Sequence, residues 1–290
     1  SVDLKGISLK EIAAHRADTW LLSPPCQPFT RQGEMLGGSD SRSAGLTNLM
    51  HLLAASGADA LPDYLLLENV AGFESSAVRQ RLATILRSRG YHLRELWASP
   101  AHFCVPNQRT RYFLLARRTL PFGAPPPAIQ PLLLEAEAVD AASAEEGARL
   151  PLPTGEISDE LQASCAPLGD YLEEQADEDE LKALRLAPHV LERYASAIDL
   201  VRRDSRRSCC FTKNYSRYIK GTGSVFLEAV KEGEPPPLDK TAATLAPLRP
   251  RFLAPREIAN LHGFPPTFSF PGMLTRKKQY ELIGNSLSIQ

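Results

Sequence analysis

The chain has 290 residues, 43% of them apolar, and a formal net charge of -1 at pH 7. That length supports one large domain or two smaller ones around a sizeable core. The near balance of charge excludes recognition of an anionic partner by bulk charge, so any such surface must be a local cluster. The chain opens at Ser1 without a methionine and stops at Gln290 just as an apolar segment begins, so both ends read as cuts through a domain. Residues 18–22, Asp-Thr-Trp-Leu-Leu, predict a buried strand that runs into the rigid Ser23-Pro24-Pro25 loop. Residues 45–55 predict a helix. Residues 63–67 predict a second buried strand, ending at Glu68-Asn69. Val78, Leu82, Ile85 and Leu86 then recur at helical spacing, with Gly90 as the stop. Residues 91–97 and 111–116 read as two further strands. Strands alternating with helices argue a parallel α/β sheet with right-handed crossovers, whose ligands sit at the carboxyl ends of the strands.

From about residue 120 the pattern changes. Pro125-Pro126-Pro127 breaks it, and residues 135–180 are acidic and Ala-rich, read as a solvated insertion. Residues 202–220 turn basic, with Arg202, Arg203, Arg206, Arg207, Lys213, Arg217 and Lys220 interleaved with Phe211, Tyr215 and Tyr218. Such a stretch suits phosphates and unpaired bases. Helical patterns return at 255–262, opened by Pro255 and closed by Gly263, and at 276–283. The chain therefore divides into 1–120, 121–249 and 250–290. Its five cysteines are Cys26, Cys104, Cys165, Cys209 and Cys210. An odd set with no Cys-x-x-Cys pair argues against a disulfide framework and against zinc, so no metal is expected. A reducing compartment, cytoplasm or nucleus, is expected instead. No run reaches the roughly 18 apolar residues of a membrane span.

Three segments carry candidate chemistry. Cys26 lies in Ser23-Pro24-Pro25-Cys26-Gln27-Pro28-Phe29-Thr30. Prolines on both sides fix the backbone, which aims a side chain rather than packing a core. Glu68 ends an apolar strand, where a carboxylate needs a partner. Arg109 and Arg111 alternate at the start of a strand, on one face, and suit an anionic or carbonyl-rich ligand.

In this order, the Pro-Pro-Cys loop, the Glu68-Asn69-Val70 strand end, the Gln108-Arg109-Thr110-Arg111 segment and the closing Gly284-Asn285-Ser286-Leu287 resemble the cytosine-C5 methyltransferases. The arginine segment is one residue tighter than the family's Gln-x-Arg-x-Arg. Cys210-Phe211-Thr212, with Lys213, Tyr215, Tyr218 and Gly221-Thr222-Gly223-Ser224, resembles the tRNA-methylating branch, the second-type DNA-methyltransferase homologue. The resemblance implies a Rossmann-like S-adenosylmethionine-dependent sheet, truncated at its N-terminus, with a smaller inserted target-recognition region. It implies Cys26 as the nucleophile at C6, Glu68 on the N3/N4 edge, and Arg111 on the ring oxygen with Arg109 in support. Asp3, Leu4, Pro24, Asn285 and Ser286 would line the S-adenosylmethionine site. Cys210, Phe211, Thr212, Lys213, Tyr215, Arg217 and Tyr218 would meet RNA. The implied substrate is cytosine 38 in the anticodon loop of aspartate tRNA. DNA methylation and a binding-only product are the alternatives, the latter because the family's opening glycine-rich loop precedes Ser1. Ala254 replaces the family's usual Thr N-cap, at a cost of about 1 kcal/mol.

Overall fold

The computed structural model describes residues 4–25, 44–119, 121–122, 157–173, 178–230, 237 and 239–289. Cys26, Asp3 and most of the acidic insertion lie outside these residues. The chain forms two compact units: residues 1–98 with 110–156, and residues 99–109 with 157–290.

The first unit runs α1 (Leu9–His15), β1 (Thr19–Leu22), α2 (Ala44–Ala55), β2 (Tyr64–Val70), α3 (Ala77–Ser88), β3 (His92–Ala98) and β4 (Arg111–Arg117). Ser8 caps α1, its hydroxyl accepting the Glu11 N–H while the Glu11 carboxylate accepts the Ser8 N–H. Ser76 caps α3 in the same sense through Arg79. The helical period of Val78, Leu82 and Leu86 is the buried face of α3. Leu46, Leu49, Met50 and Leu53 of α2, Leu65 and Leu67 of β2, and Leu114 of β4 share that core with it.

The sheet order is β1-β2-β4-β3. β1 and β2 are parallel, with Leu22 opposite Leu67. β4 is antiparallel to both β2 and β3. The expected all-parallel sheet is thus a mixed one. The physical reason lies in the connection: residues 99–110 hold only a short 3-10 turn, and a parallel return would need a crossover helix. β2 also outruns its predicted end. It continues through Glu68-Asn69-Val70, so Glu68 stands within the strand, opposite Phe113.

The second unit contains α4 (Asp159–Ser164), α5 (Glu178–Lys182), α6 (Pro188–Tyr194), β5 (Leu200–Val201), β6 (Val225–Leu227), α7 (Ala242–Leu245), β7 (Pro250–Phe252), α8 (Pro255–Leu261) and α9 (Arg276–Asn285). Its small sheet, β5-β6-β7, pairs β5 with β6 in parallel and β6 with β7 antiparallel. One core gathers Phe211, Tyr215, Leu253, Ile258, Leu261, Tyr280 and Ile283. Tyr215 stands edge-on to Phe211, Phe252 and Tyr280. No helix among the described residues is long and apolar enough to cross a membrane.

Candidate active site

The first unit places a charged cluster at the ends of its parallel strands. Glu68, 7% exposed, meets Arg111, whose Nε lies 3.2 Å from Glu68 Oε1. Its other oxygen, Oε2, accepts from the Ser23 hydroxyl at 2.6 Å. The next residue, Asn69, donates through Nδ2 to the Pro24 carbonyl at 3.3 Å. The backbone leading to Cys26 is therefore held against the carboxylate strand two and three residues upstream of the cysteine. Arg111 Nη1 also donates to the Thr110 carbonyl at 2.9 Å.

Arg109 behaves differently. It belongs to the second unit and is 4% exposed. β4 begins only at Arg111, so the expected sharing of one strand face by the two arginines is not realised. The Arg109 guanidinium donates to the carbonyls of Phe211 (3.1 Å), Gly284 (3.1 Å) and Ser286 (2.6 Å), and through Nη1 to Cys210 Sγ at 3.4 Å. One rigid fork thus ties the Cys-Phe-Thr segment to the Gly-Asn-Ser segment. Arg109 supports backbone; Arg111 is the arginine beside the carboxylate. The register also resolves the tight motif spacing. Asn107, fully buried, stands two residues before Arg109, so Asn107-x-Arg109-x-Arg111 restores the usual interval that Gln108 does not. Gln108 instead donates its N–H to the Ser208 carbonyl at 2.9 Å.

Two close approaches mark the second unit. A Cβ at Gly284 would lie 2.3 Å from Lys213 N and 2.6 Å from Thr212 O. Only glycine lets α9 end against that backbone. Gly223, at φ 150°, likewise leaves no room beside Phe211 and Tyr215. Phe211 and Tyr215 are core residues: the Tyr215 hydroxyl donates to the Ser224 carbonyl at 2.6 Å and accepts the Leu253 N–H at 2.9 Å. Neither ring can stack on a base. Tyr218, 52% exposed, can, and Lys213, Arg217 and Lys220 are exposed around it. The Arg217 guanidinium lies 5.3 Å from the Tyr218 ring centroid. Thr212 is fixed through its N–H to the Thr222 carbonyl.

Cys209 and Cys165 are poor nucleophiles. Burial, then the Asp199 carboxylate, raises the Cys209 thiol above its usual range, and burial raises Cys165. No group of three His, Cys, Asp or Glu side chains able to hold a metal occurs among the described residues.

A mixed α/β sheet with this cluster at its strand ends has the fold of the S-adenosylmethionine-dependent methyltransferases. The chain belongs to the C-5 cytosine-specific DNA methylase family, which matches it over residues 1–290. A human protein named tRNA (cytosine(38)-C(5))-methyltransferase is 35% identical over 99% of this chain and 83% of its own length. The solved Dnmt2 methyltransferase of S. pombe aligns at TM-score 0.74 and 30% identity, over 99% of this chain and 79% of that one. The Entamoeba histolytica methyltransferase EhMeth aligns at TM-score 0.76 and 27% identity, over 99% and 78%.

The family's methyl donor is S-adenosylmethionine. The described residues fit parts of it. Leu4, 45% exposed, has its carbonyl held by Asn48 Nδ2 at 2.8 Å. Pro24 is half-buried at the end of β1. Asn285 is exposed, and its carboxamide suits a carboxylate. Ser286 is already engaged: its hydroxyl donates to Ile283 O at 2.7 Å and lies 3.1 Å from His262 Nδ1, and its carbonyl accepts from Arg109. Asn285 is therefore the better donor of the two, and Ser286 shapes the turn.

Proposed function

We propose that the protein methylates C5 of cytosine 38 in the anticodon loop of aspartate tRNA through a covalent adduct of Cys26. C5 of cytosine is too weak a nucleophile to take a methyl group unaided. Addition of the Cys26 thiolate to C6 makes the ring an enamine, so that C5 becomes reactive. Glu68 grips the N3/N4 edge and, taking up a proton as the base binds, passes it to N3 so that C6 accepts the thiolate. Arg111, beside Glu68, holds the ring oxygen as charge develops. When bound, S-adenosylmethionine supplies an electrophilic methyl group on a sulfonium. The C5 proton then leaves to a base, the Cys26–C6 bond breaks as N3 returns its proton to Glu68, and the thiolate is restored.

The observation that carries the reading is the Glu68 carboxylate, held between Arg111 and Ser23, the latter three residues before Cys26. The tRNA assignment is supported by the names of the relatives and by the Cys210-Phe211-Thr212-Lys213 segment, beside which Lys213, Arg217, Lys220 and Tyr218 are exposed for phosphates and one base. An anticodon-loop base is already partly unstacked, which lowers the cost of extruding it by roughly a few kcal/mol.

The test compares transfer of a labelled methyl group to aspartate tRNA and to duplex DNA. Label at cytosine 38 of the tRNA, abolished in Cys26→Ser, is expected. Label on DNA alone, or an undiminished rate in Cys26→Ser, defeats the reading.

A further inference from the structure

We infer that Ser23 is a positioning residue for Glu68, its hydroxyl orienting the carboxylate that reads the amino edge of the cytosine. The inference rests on the reading of Glu68 given above and assigns a role one step upstream of it. The last ladder pair of β1 and β2 is Leu22 with Leu67, so the next step along the parallel register sets Ser23 beside Glu68. Side chains at matched positions of paired strands share a face. Pro24 excludes helical backbone at Ser23 and keeps it extended. From the other strand, Asn69 Nδ2 donates to the Pro24 carbonyl at 3.3 Å. The backbone that presents the hydroxyl is therefore fixed from both sides.

The geometry at the carboxylate is divided. Ser23 Oγ donates to Oε2 at 2.6 Å, while Arg111 Nε stands 3.2 Å from Oε1. A serine hydroxyl has a single proton, and here it is committed to Oε2. That keeps Oε2 an acceptor, matched to the N4 amino donor of cytosine and opposed to the O4 carbonyl that uracil would present. The two anchors also fix the plane of the carboxylate, and a carboxylate keeps further lone pairs for the base. Without Ser23, Arg111 alone would orient Glu68, and the carboxylate could rotate about its last torsion, which is broad and roughly two-fold.

The experiment uses the full chain with Ser23→Ala, Ser23→Thr and Glu68→Gln. Two rates are read: methyl transfer to the tRNA, and release of tritium from C5 of labelled cytidine in that tRNA without methyl donor. The second follows addition at C6 and proton exchange alone. Loss of a hydrogen bond to a charged group should lower both rates about tenfold in Ser23→Ala. The KM for tRNA and the melting temperature should stay at the parental values. Ser23→Thr, which keeps the hydroxyl and suits an extended backbone, should restore most of the loss. A parental rate in Ser23→Ala beside an inactive Glu68→Gln overturns this inference alone, as does a loss that tracks a lowered melting temperature and is not rescued by threonine. A parental rate in Glu68→Gln removes the underlying reading of the site, and this inference with it.

Discussion

The two units hold themselves together by different means. The first buries leucines from regular elements: Leu49 and Leu53 of α2, Leu82 and Leu86 of α3, Leu65 and Leu67 of β2. That attraction is non-directional and tolerates exchange of one apolar side chain for another of similar volume. The second unit has short elements and is stitched by buried polar groups aimed at backbone. Arg109 serves three carbonyls, Tyr215 links Ser224 to Leu253, and the Tyr280 hydroxyl donates to the Leu253 carbonyl at 2.6 Å. Burial drives the Tyr215 and Tyr280 phenols well above the usual tyrosine range, so both remain donors at any physiological pH. Bonds of this kind set position tightly, but each one broken leaves a buried group unsatisfied. The second unit should therefore be the brittle one.

The largest effect expected from that contrast is at Glu257, which is fully buried in α8. Its oxygens accept from Arg251 Nη1 at 2.7 Å and Nη2 at 2.9 Å, and from the Ala254 N–H at 2.7 Å. The last bond gives α8 an N-terminal partner although Ala254 has no capping side chain. Glu257→Ala would leave the buried Arg251 with Glu228, 3.1 Å away, as its carboxylate partner beside the Phe252 carbonyl, and should cost about 3–5 kcal/mol. Both tryptophans, Trp20 and Trp97, are in the first unit. In a urea titration the circular-dichroism transition should move to lower urea while much of the tryptophan fluorescence transition stays near its parental midpoint. Equal displacement of the two signals would break the comparison.

The same contrast governs what could be read from the residues in advance. Periodicity is strong in the first unit, so α2, α3 and the four strands are legible within a few residues. The direction of β4 was not, because alternation of strands and helices says nothing about a connection that lacks its helix. In the second unit α8 and α9 were legible as helical patterns at 255–262 and 276–283, but the remaining elements are too short to show a period. Arg251 and Glu257 look like surface charges in the sequence and Arg109 like a ligand-facing strand residue, yet each is buried against a specific partner. Phe211 and Tyr215 sit among basic residues and look like base-stacking rings, whereas Gly223 has been kept small so that both can pack. At the site, Glu68 was visible as a carboxylate ending an apolar run. Ser23 was not, since a serine before proline is ordinary in a loop; only the strand register brings its hydroxyl to Glu68.

Gly284 sharpens the comparison at an intermediate size. Its absent Cβ faces main-chain atoms, 2.3 Å from both Lys213 N and Thr212 C, and backbone cannot step aside as a flexible side chain does. Gly284→Ala should cost about 1–3 kcal/mol by overpacking. Gly272 has nothing within 4 Å, and Gly272→Ala is the matched control, with little expected change. Melting curves of the two variants followed by circular dichroism check this. If both substitutions are equally mild, α9 does not close on the Thr212-Lys213 backbone as tightly as the structure places it.

The smallest effect is a titration. His102 lies in the 3-10 turn after β3, and its Nδ1 takes the Ser99 N–H at 2.8 Å. Its Nε2 is buried without a partner among the described residues. Burial lowers its pKa below the usual 6.5, against a smaller upward pull from the Ser99 backbone. Because the folded value is the lower one, the unfolded chain takes up the proton first as pH falls. The stabilisation is complete above the ordinary histidine pKa and is lost as pH falls through the folded value. The ring is only half-buried, so solvent screening keeps the effect below about 1 kcal/mol. His102→Asn places an oxygen where Nδ1 accepts the Ser99 N–H and carries no titrating proton. Between pH 7 and pH 5 the parent should therefore lose more stability than this variant, measured as the fall in urea midpoint by circular dichroism. Equal losses in the two proteins would show that the imidazole is already free to charge in the fold, and that the turn leading to Arg109 does not depend on a neutral ring.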